Sequence, residues 1–450
     1  MAPGTLAPAP VGLTTLSLED DWETAPIRKI SLYFCLAALF LRVSVLPELI
    51  NYVTHANTYL LYLVAPLAIV STLLKGGVQR TFRSRASWYW AGFFAWMALA
   101  APFSSWPGGS IGKVQSYARV DVIFLVLVGS MALNWNEVRY IFRTMAVAAV
   151  VNLVSTRLFE KVATGRVTLE SSGTIGNSND LAAQLLLVLP FLFFFTMGRS
   201  RSIVIRIAVL GLLAYGVWII LGTASRGGLI GLAVVFLCLL IHASPLQRLS
   251  LVVLSGVITL VALTALPRET RDRLGSLFGE KHKEADESME SRKYLFRTSV
   301  RFTFEHPLFG VGPDQFPNFE GKTSRAKGQH GNWHATHCAF TEVSSECGLP
   351  AFVFFTAGIG SAMLLVLRTY RNAKREGYPE IADGCFCYLL GMVGYLVALL
   401  FLAQAYTYRL PSMIGLAVTL SYAATRTMRS GRDGQTPMPP AHVLQRANHH

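Results

Sequence analysis

Three groups of residues have the types and spacing to do chemistry. The first is Arg226, in Ser225-Arg226-Gly227-Gly228 between two strongly apolar blocks. A guanidinium that close to hydrocarbon is costly. It either snorkels to lipid phosphate or forms an anion site. For the second role, Gly227 and Gly228 leave backbone N–H groups open at a helix start, where phosphate is favoured, and an arginine there can hold a diphosphate through paired hydrogen bonds. The second group lies on the segment Arg292 to Leu308. Its Leu295, Phe296, Val300 and Phe304 approximate helical spacing, with Phe302 off that stripe, and Arg292, Lys293, Arg297 and Arg301 decorate the helix. These cations are either a solvated basic face or a contact for an anionic substrate at the membrane surface. The third group is His330-Gly331-Asn332-Trp333-His334-Ala335-Thr336-His337. On a helix, spacings of four and three would bring the imidazoles to one face, as metal ligands. Gly331 and Asn332 argue against a continuous helix and no paired carboxylate motif accompanies them, so no metal is expected. What remains is a surface cluster without a role, or a catalytic histidine whose ordinary pKa of about 6.5 suits proton transfer at neutral pH.

A fourth stretch, Gly176-Asn177-Ser178-Asn179-Asp180, opens an apolar block. Asn179 or Asp180 can cap that helix, and Asn177 and Asn179 can also meet sugar hydroxyls. There is no Walker A sequence and no GxGxxG after a strand, and Gly310-Val311-Gly312 is too short to cradle a nucleotide. No cofactor is expected, and any energy for a reaction must come with the substrate.

The elements that position these residues follow from composition. The chain has 450 residues, 52% hydrophobic and 15% charged, with a mean hydropathy of +0.43, against about 25% charged in a soluble domain. Its apolar residues come in blocks of about 20, the length that spans a bilayer as a helix, and in lipid every backbone amide must be satisfied internally. Twelve spans are expected, at roughly 28–46, 56–75, 87–105, 117–135, 138–156, 180–198, 203–222, 227–243, 249–266, 350–368, 384–404 and 408–425. Arg42, inside the first, must snorkel or face the protein interior.

The net charge of +14 is one mark of a nucleic-acid binder. Here the basic residues sit in short clusters between apolar blocks, the pattern of the positive-inside rule, so no nucleic acid is expected. Lys75, Arg80, Arg83 and Arg85, then Arg199, Arg201 and Arg206, then Arg248, then Arg368, Arg371, Lys374 and Arg375, then Arg426 and Arg429 fall on one side if the spans number twelve. That side is assigned to the cytoplasm, with both termini. The expected fold is an all-α polytopic membrane protein of about 12 transmembrane helices, with one large, partly helical periplasmic loop, 267–349, between helices 9 and 10. Residues 28–266 and 350–425 hold the spans, and 1–27 and 426–450 are expected to be disordered cytoplasmic tails. Cys35, Cys238, Cys385 and Cys387 read as small hydrophobes. Cys338 and Cys347 fall on one short helix, too far apart to bridge.

The ordered set of a Ser-Arg-Gly-Gly turn between apolar spans, an arginine before a Pro-Leu-x-Gly-x-Gly stretch, and a histidine followed by Phe, Glu and Gly-Leu resembles the O-antigen ligase and polymerase family of bacterial envelope enzymes, over about residues 170–360. By the ligase spacing, His337 with Gly348 beyond it matches the family's catalytic histidine; Cys338 and Ala351 depart from the pattern. Arg226 matches the first functional arginine. Arg292, with Phe296 and His306-Pro307-Leu308 beyond it, matches the second.

The resemblance implies an inverting glycosyltransferase of the bacterial inner membrane, in lipopolysaccharide or polysaccharide biosynthesis, that needs no metal. The donor would be a glycan on undecaprenyl diphosphate. The acceptor would be a sugar hydroxyl on lipid A–core or on another lipid-linked glycan. His337 would be catalytic with Arg226 and Arg292, and Arg297, Arg301, His334, Asn177 and Asn179 would complete substrate binding among the membrane lipids of the periplasmic face. A polymerase of the same family is the alternative. A twelve-helix transporter is the rival of another class, against which stand spans nearly free of acidic residues and polar groups gathered on the outer face.

Overall fold

The computed structural model describes residues 26–433 except 75, 164, 170–172, 199–201, 266–267, 276–282 and 329. Most of the expected tails, and Lys75, Arg199 and Arg201 of the basic loops, therefore lie outside the described residues.

The chain is overwhelmingly helical. In order come α1 (Pro26–Val43), α2 (Leu46–Thr54), α3 (Leu60–Leu74), α4 (Gly77–Thr81), α5 (Arg85–Ala100), α6 (Pro107–Tyr117), α7 (Ile123–Gly129), α8 (Trp135–Leu158), α9 (Ser178–Phe193), α10 (Ile203–Gly222), α11 (Arg226–His242), α12 (Pro245–Ala265), α13 (Arg268–Gly275), α14 (Lys283–Glu305), α15 (Phe316–Ala326), α16 (Ala339–Arg375), α17 (Pro379–Leu399) and α18 (Arg409–Asp433). Polar side chains begin several of them. Asn134 Oδ1 accepts from the Glu137 N–H at 3.0 Å at the start of α8, and Ser84 Oγ accepts from the Ala86 N–H at 3.3 Å at the start of α5.

Among the described residues, five helices are long and apolar enough to cross a membrane: α8, Ser178–Thr196, α10, α16 and α17; α1 and α2, bent by 61° to each other, make a sixth if they are one broken span. Leu60–Leu74, Arg226–His242 and Pro245–Val261 are shorter apolar helices. The protein is thus a polytopic helical membrane protein. Packing is tightest where α16 lies on α5, where α17 lies on α9 and α11, and where α18 lies on α7.

Two expectations need correction. The helix expected at 117–135 is placed differently: one continuous helical run from Pro107 to Gly129 passes from α6 to α7 through a π-helical turn at Ala118–Val122 and ends before Ser130. The segment after α8 also departs from an all-α chain, because Glu160–Ala163 (β1) and Arg166–Leu169 (β2) pair as an antiparallel hairpin. In addition, α18 continues to Asp433, past the boundary set at 425.

Arg42 turns inward, as one of its two expectations required. Its guanidinium donates to Asp121 Oδ1 at 3.2 Å, lies 4.0 Å from Glu48 and stacks 4.7 Å above the Tyr408 ring.

Candidate active site

Arg226 is the first residue of α11. Before it the backbone turns sharply, with Ala224 at φ 45°. Ser225 caps the helix, its Oγ accepting from the Gly228 N–H at 3.2 Å, so that N–H is satisfied internally rather than left open to a ligand. The turn is held from outside by Arg166 on β2, whose Nε donates to Thr223 O at 3.0 Å and whose Nη2 donates to Asn179 Oδ1 at 2.6 Å. Arg226 itself is half-buried and has no hydrogen bond or ion pair among the described residues. Gly227 packs on Phe401: a Cβ there would meet the Phe401 Cβ at 2.9 Å.

That contact leads to the hub of the site, the segment 400–408 between α17 and α18. Gln404 Nε2 donates to Asp180 Oδ1 at 2.6 Å, and the Ala405 N–H donates to Glu342 Oε2 at 3.0 Å. Glu342 is on the first turn of α16, just after His337. One short segment therefore touches the Arg226 helix, the first turn of α9 and the helix that follows the histidine. Arg409 anchors it from beneath. Fully buried, its guanidinium donates to Gln184 at 2.7 Å, Gln404 at 3.1 Å and Thr174 O at 3.4 Å.

His337 lies in an irregular stretch, 330–338, that enters α16 through Cys338. Because this stretch is not helical, His330, His334 and His337 do not share a helical face. His337 takes φ 57°, a left-handed conformation that a non-glycine residue adopts only when its surroundings hold it there. The holding group next to it is Thr336, whose Oγ1 donates to Cys338 O at 3.0 Å. Burial, the positive charge of Arg292 and then His334 lower the His337 pKa from 6.5 to about 4. The three residues are therefore electrostatic neighbours.

Arg292 projects from the side of α14 that carries Ser299 and Thr303 toward the protein, and the Thr303 and Ser344 hydroxyls hydrogen-bond at 2.8 Å between α14 and α16. Arg297 and Arg301 are exposed on other faces of the same helix. Arg301 lies 3.6 Å from Glu305 and 5.2 Å from the centre of the Phe302 ring. The structure thus brings Arg292 and His334 to His337 but does not bring Arg297 and Arg301 with them.

The apolar stripe expected on α14 is only partly the buried face: Leu295 is buried as expected, but Phe302, expected off the stripe, is buried in place of Phe296 and Phe304. Leu295 and Phe302 are buried with Val311 and Phe316, while Phe296 and Phe304 are exposed by 47% and 72%. At the start of α9 the cap is Asn177, not Asn179 or Asp180. Its Oδ1 accepts from the Asn179 N–H at 2.9 Å and the Asp180 N–H at 3.0 Å, and Asn179 is tied to Arg166.

A family model described as O-antigen ligase matches residues 210–356. Those residues form an O-antigen ligase family domain. A search of curated proteins found no match. The domain contains Arg226, Arg292, Arg297, Arg301, His334 and His337, and stops short of Asn177 and Asn179. The match supports a membrane glycosyltransferase of the ligase and polymerase kind acting on lipid-linked glycans. Residues that build the site around the domain but drew no notice in the sequence are Arg166, Gln404 and Arg409. Arg409 carried a readable signal, since a charge at the edge of an apolar block is as costly there as at Arg226.

Proposed function

We propose that this protein is an inverting glycosyltransferase of the O-antigen ligase type, moving a glycan from undecaprenyl diphosphate to a sugar hydroxyl, with lipid A–core as the favoured acceptor. The observation that carries the reading is that, inside the ligase-family domain, Arg292 acts electrostatically on His337 while Arg226 offers a guanidinium with no protein acceptor among the described residues. In this reading the chain crosses the bacterial inner membrane twelve times through its long, short and broken helices. Both termini are cytoplasmic, and the segment 267–349 with its histidine is periplasmic.

The donor's diphosphate sits against Arg226 and Arg292. The acceptor hydroxyl approaches the anomeric carbon from the opposite face and gives its proton to His337. The new glycosidic bond forms as the bond to the diphosphate breaks, and the two guanidiniums hold the charge that develops on the leaving group. One such preorganised contact is worth about 10²–10³ in rate. A histidine that titrates near 4 is a weak base by itself. The bound diphosphate offsets the Arg292 charge and raises its basicity toward the working pH.

The test is His337→Ala. Transfer should fall by about 10² or more while the amount of protein in the membrane stays constant; near-normal transfer would rule out the histidine as base. A strain without the protein should accumulate lipid-linked polymer and carry bare lipid A–core. Lipid A–core bearing a single repeat would instead identify a polymerase.

A further inference from the structure

Glu320 is 1% exposed on α15 and its carboxylate accepts from four donors on three pieces of chain. Oε2 accepts the backbone N–H groups of Asn332 and Trp333, each at 3.0 Å. Oε1 accepts the Ser324 hydroxyl at 2.9 Å and the Tyr294 hydroxyl at 3.2 Å. Asn332 and Trp333 belong to the irregular stretch that leads to His337. Tyr294 is on α14, two positions after Arg292. One carboxylate thus ties the histidine's segment to the arginine's helix, through a helix that belongs to neither.

The surroundings support a designed cradle. Trp333 has φ 55°, so the chain reverses at the residue whose N–H Glu320 holds. Gly331 lies so close to α15 that a Cβ on it would meet the Gly321 Cα at 2.7 Å. The Arg325 guanidinium lies 5.0 Å from the centre of the Trp333 ring. On the far side of His337, Thr336 and Cys338 form the second fastening. The histidine is therefore suspended between Glu320 and the start of α16.

We propose that Glu320 is a positioning residue for transfer: its carboxylate sets the imidazole of His337 relative to Arg292 without touching substrate. The inference rests on the functional reading above. The charged groups that face His337 are Arg292 from α14 and His334 from its own segment. If the segment loosens, the imidazole gains water and moves away from Arg292, and its titration returns toward 6.5.

The test uses the full-length protein in lipid nanodiscs with three variants: Glu320→Gln, Glu320→Ala and Tyr294→Phe. Hydrogen exchange is measured over 330–338, and transfer is measured against pH. The amide variant keeps one oxygen for the two backbone N–H groups and serves as the folded control. Glu320→Ala should exchange faster over 330–338 and lose about 100-fold in kcat, the cost of a reacting group displaced by about 1 Å. Its KM for donor should change less than about threefold, because ground-state binding is untouched. The acid limb of kcat/KM should move to higher pH. Glu320→Gln and Tyr294→Phe should fall between it and the parent protein. Unchanged exchange in Glu320→Ala overturns the inference, and so does faster exchange with kcat and the acid limb unmoved. Failure of the functional reading itself has a different signature: His337→Ala stays active, while the exchange result stands.

Discussion

Arg409 and Arg226 are both arginines at the first position of a helix, α18 and α11, and the protein treats them in opposite ways. Arg409 is fully buried, with acceptors on Gln184, Gln404 and Thr174, and its guanidinium lies 5.3 Å from the Tyr408 ring centre. Arg226 is half-buried and has no such partner among the described residues, although its turn is fixed by Ser225, Arg166 and Phe401. A saturated guanidinium holds a fold together. One that is fixed at its Cα but unsatisfied at its tip can hold something that comes from outside. The rigid surroundings of Arg226 matter for that role, since a preorganised cation spends little of its binding energy on being ordered.

Substitution can break the comparison. Arg409→Lys should deprive Gln184, Gln404 or Thr174 of a donor and lower the amount of folded protein, because a partly paired buried group costs about 1–3 kcal/mol for each lost hydrogen bond. Arg226→Lys should leave protein level unchanged and reduce transfer by about 10-fold or more, since an ammonium cannot form the bidentate fork. Membrane immunoblots beside a transfer assay read both. If the two variants lose protein equally, the distinction between them fails.

The pH dependence sharpens it further. His337 must be neutral to take a proton, and in the protein alone it stays neutral down to about 4. The value of kcat/KM should therefore be level from pH 7 to about 5 and fall below that. The limb for kcat should lie at higher pH, because the bound diphosphate favours the imidazolium. Coincident limbs would mean that the anion does not bind beside Arg292. The smallest effect is expected at Arg301. It is exposed and paired with Glu305, and Arg301→Ala should change transfer by less than about twofold, in keeping with the small worth of surface ion pairs.

The helices were legible because lipid imposes a strict rule on the backbone, and an apolar block has few alternatives. Hence 203–222 was placed to the residue and 138–156 to within a turn. The π-turn at 118–122 was not legible, since Ala118-Arg119-Val120-Asp121-Val122 carries no proline or glycine to announce it. The hairpin was half-legible. Val167 and Leu169 are buried in the period-two pattern of a strand, but only over four residues.

On α14 the error has a physical cause. Apolar periodicity finds the greasy face, and that face need not be the buried one when polar groups can be satisfied inside. Thr303 bonds Ser344 across the helix contact and Ser299 bonds Phe296 O at 2.7 Å, so hydroxyls occupy the interior and Phe304 does not. For the candidate site the sequence offers residue types, Arg226, Arg292 and His337. Their assembly through segment 400–408 and Glu320 was not legible, because nothing local in the sequence joins positions so far apart.

Gly348 breaks α16 with φ 82°, and a Cβ there would meet Leu308 O at 2.1 Å; the next residue's N–H is bound to Pro307 O at 2.8 Å. The end of α14 is therefore riveted to the bend in α16. Arg292 is thirteen residues back along α14 from Glu305, its last residue, a lever arm of about 20 Å at the helical rise per residue. A swing of about 5° at the rivet would carry the arginine about 2 Å, more than the tolerance of a reacting pair. One rivet makes a pivot and two make a truss. The Thr303–Ser344 bond is a second along the arm, and Tyr294 a third at its far end, where a small restraining force has the greatest leverage.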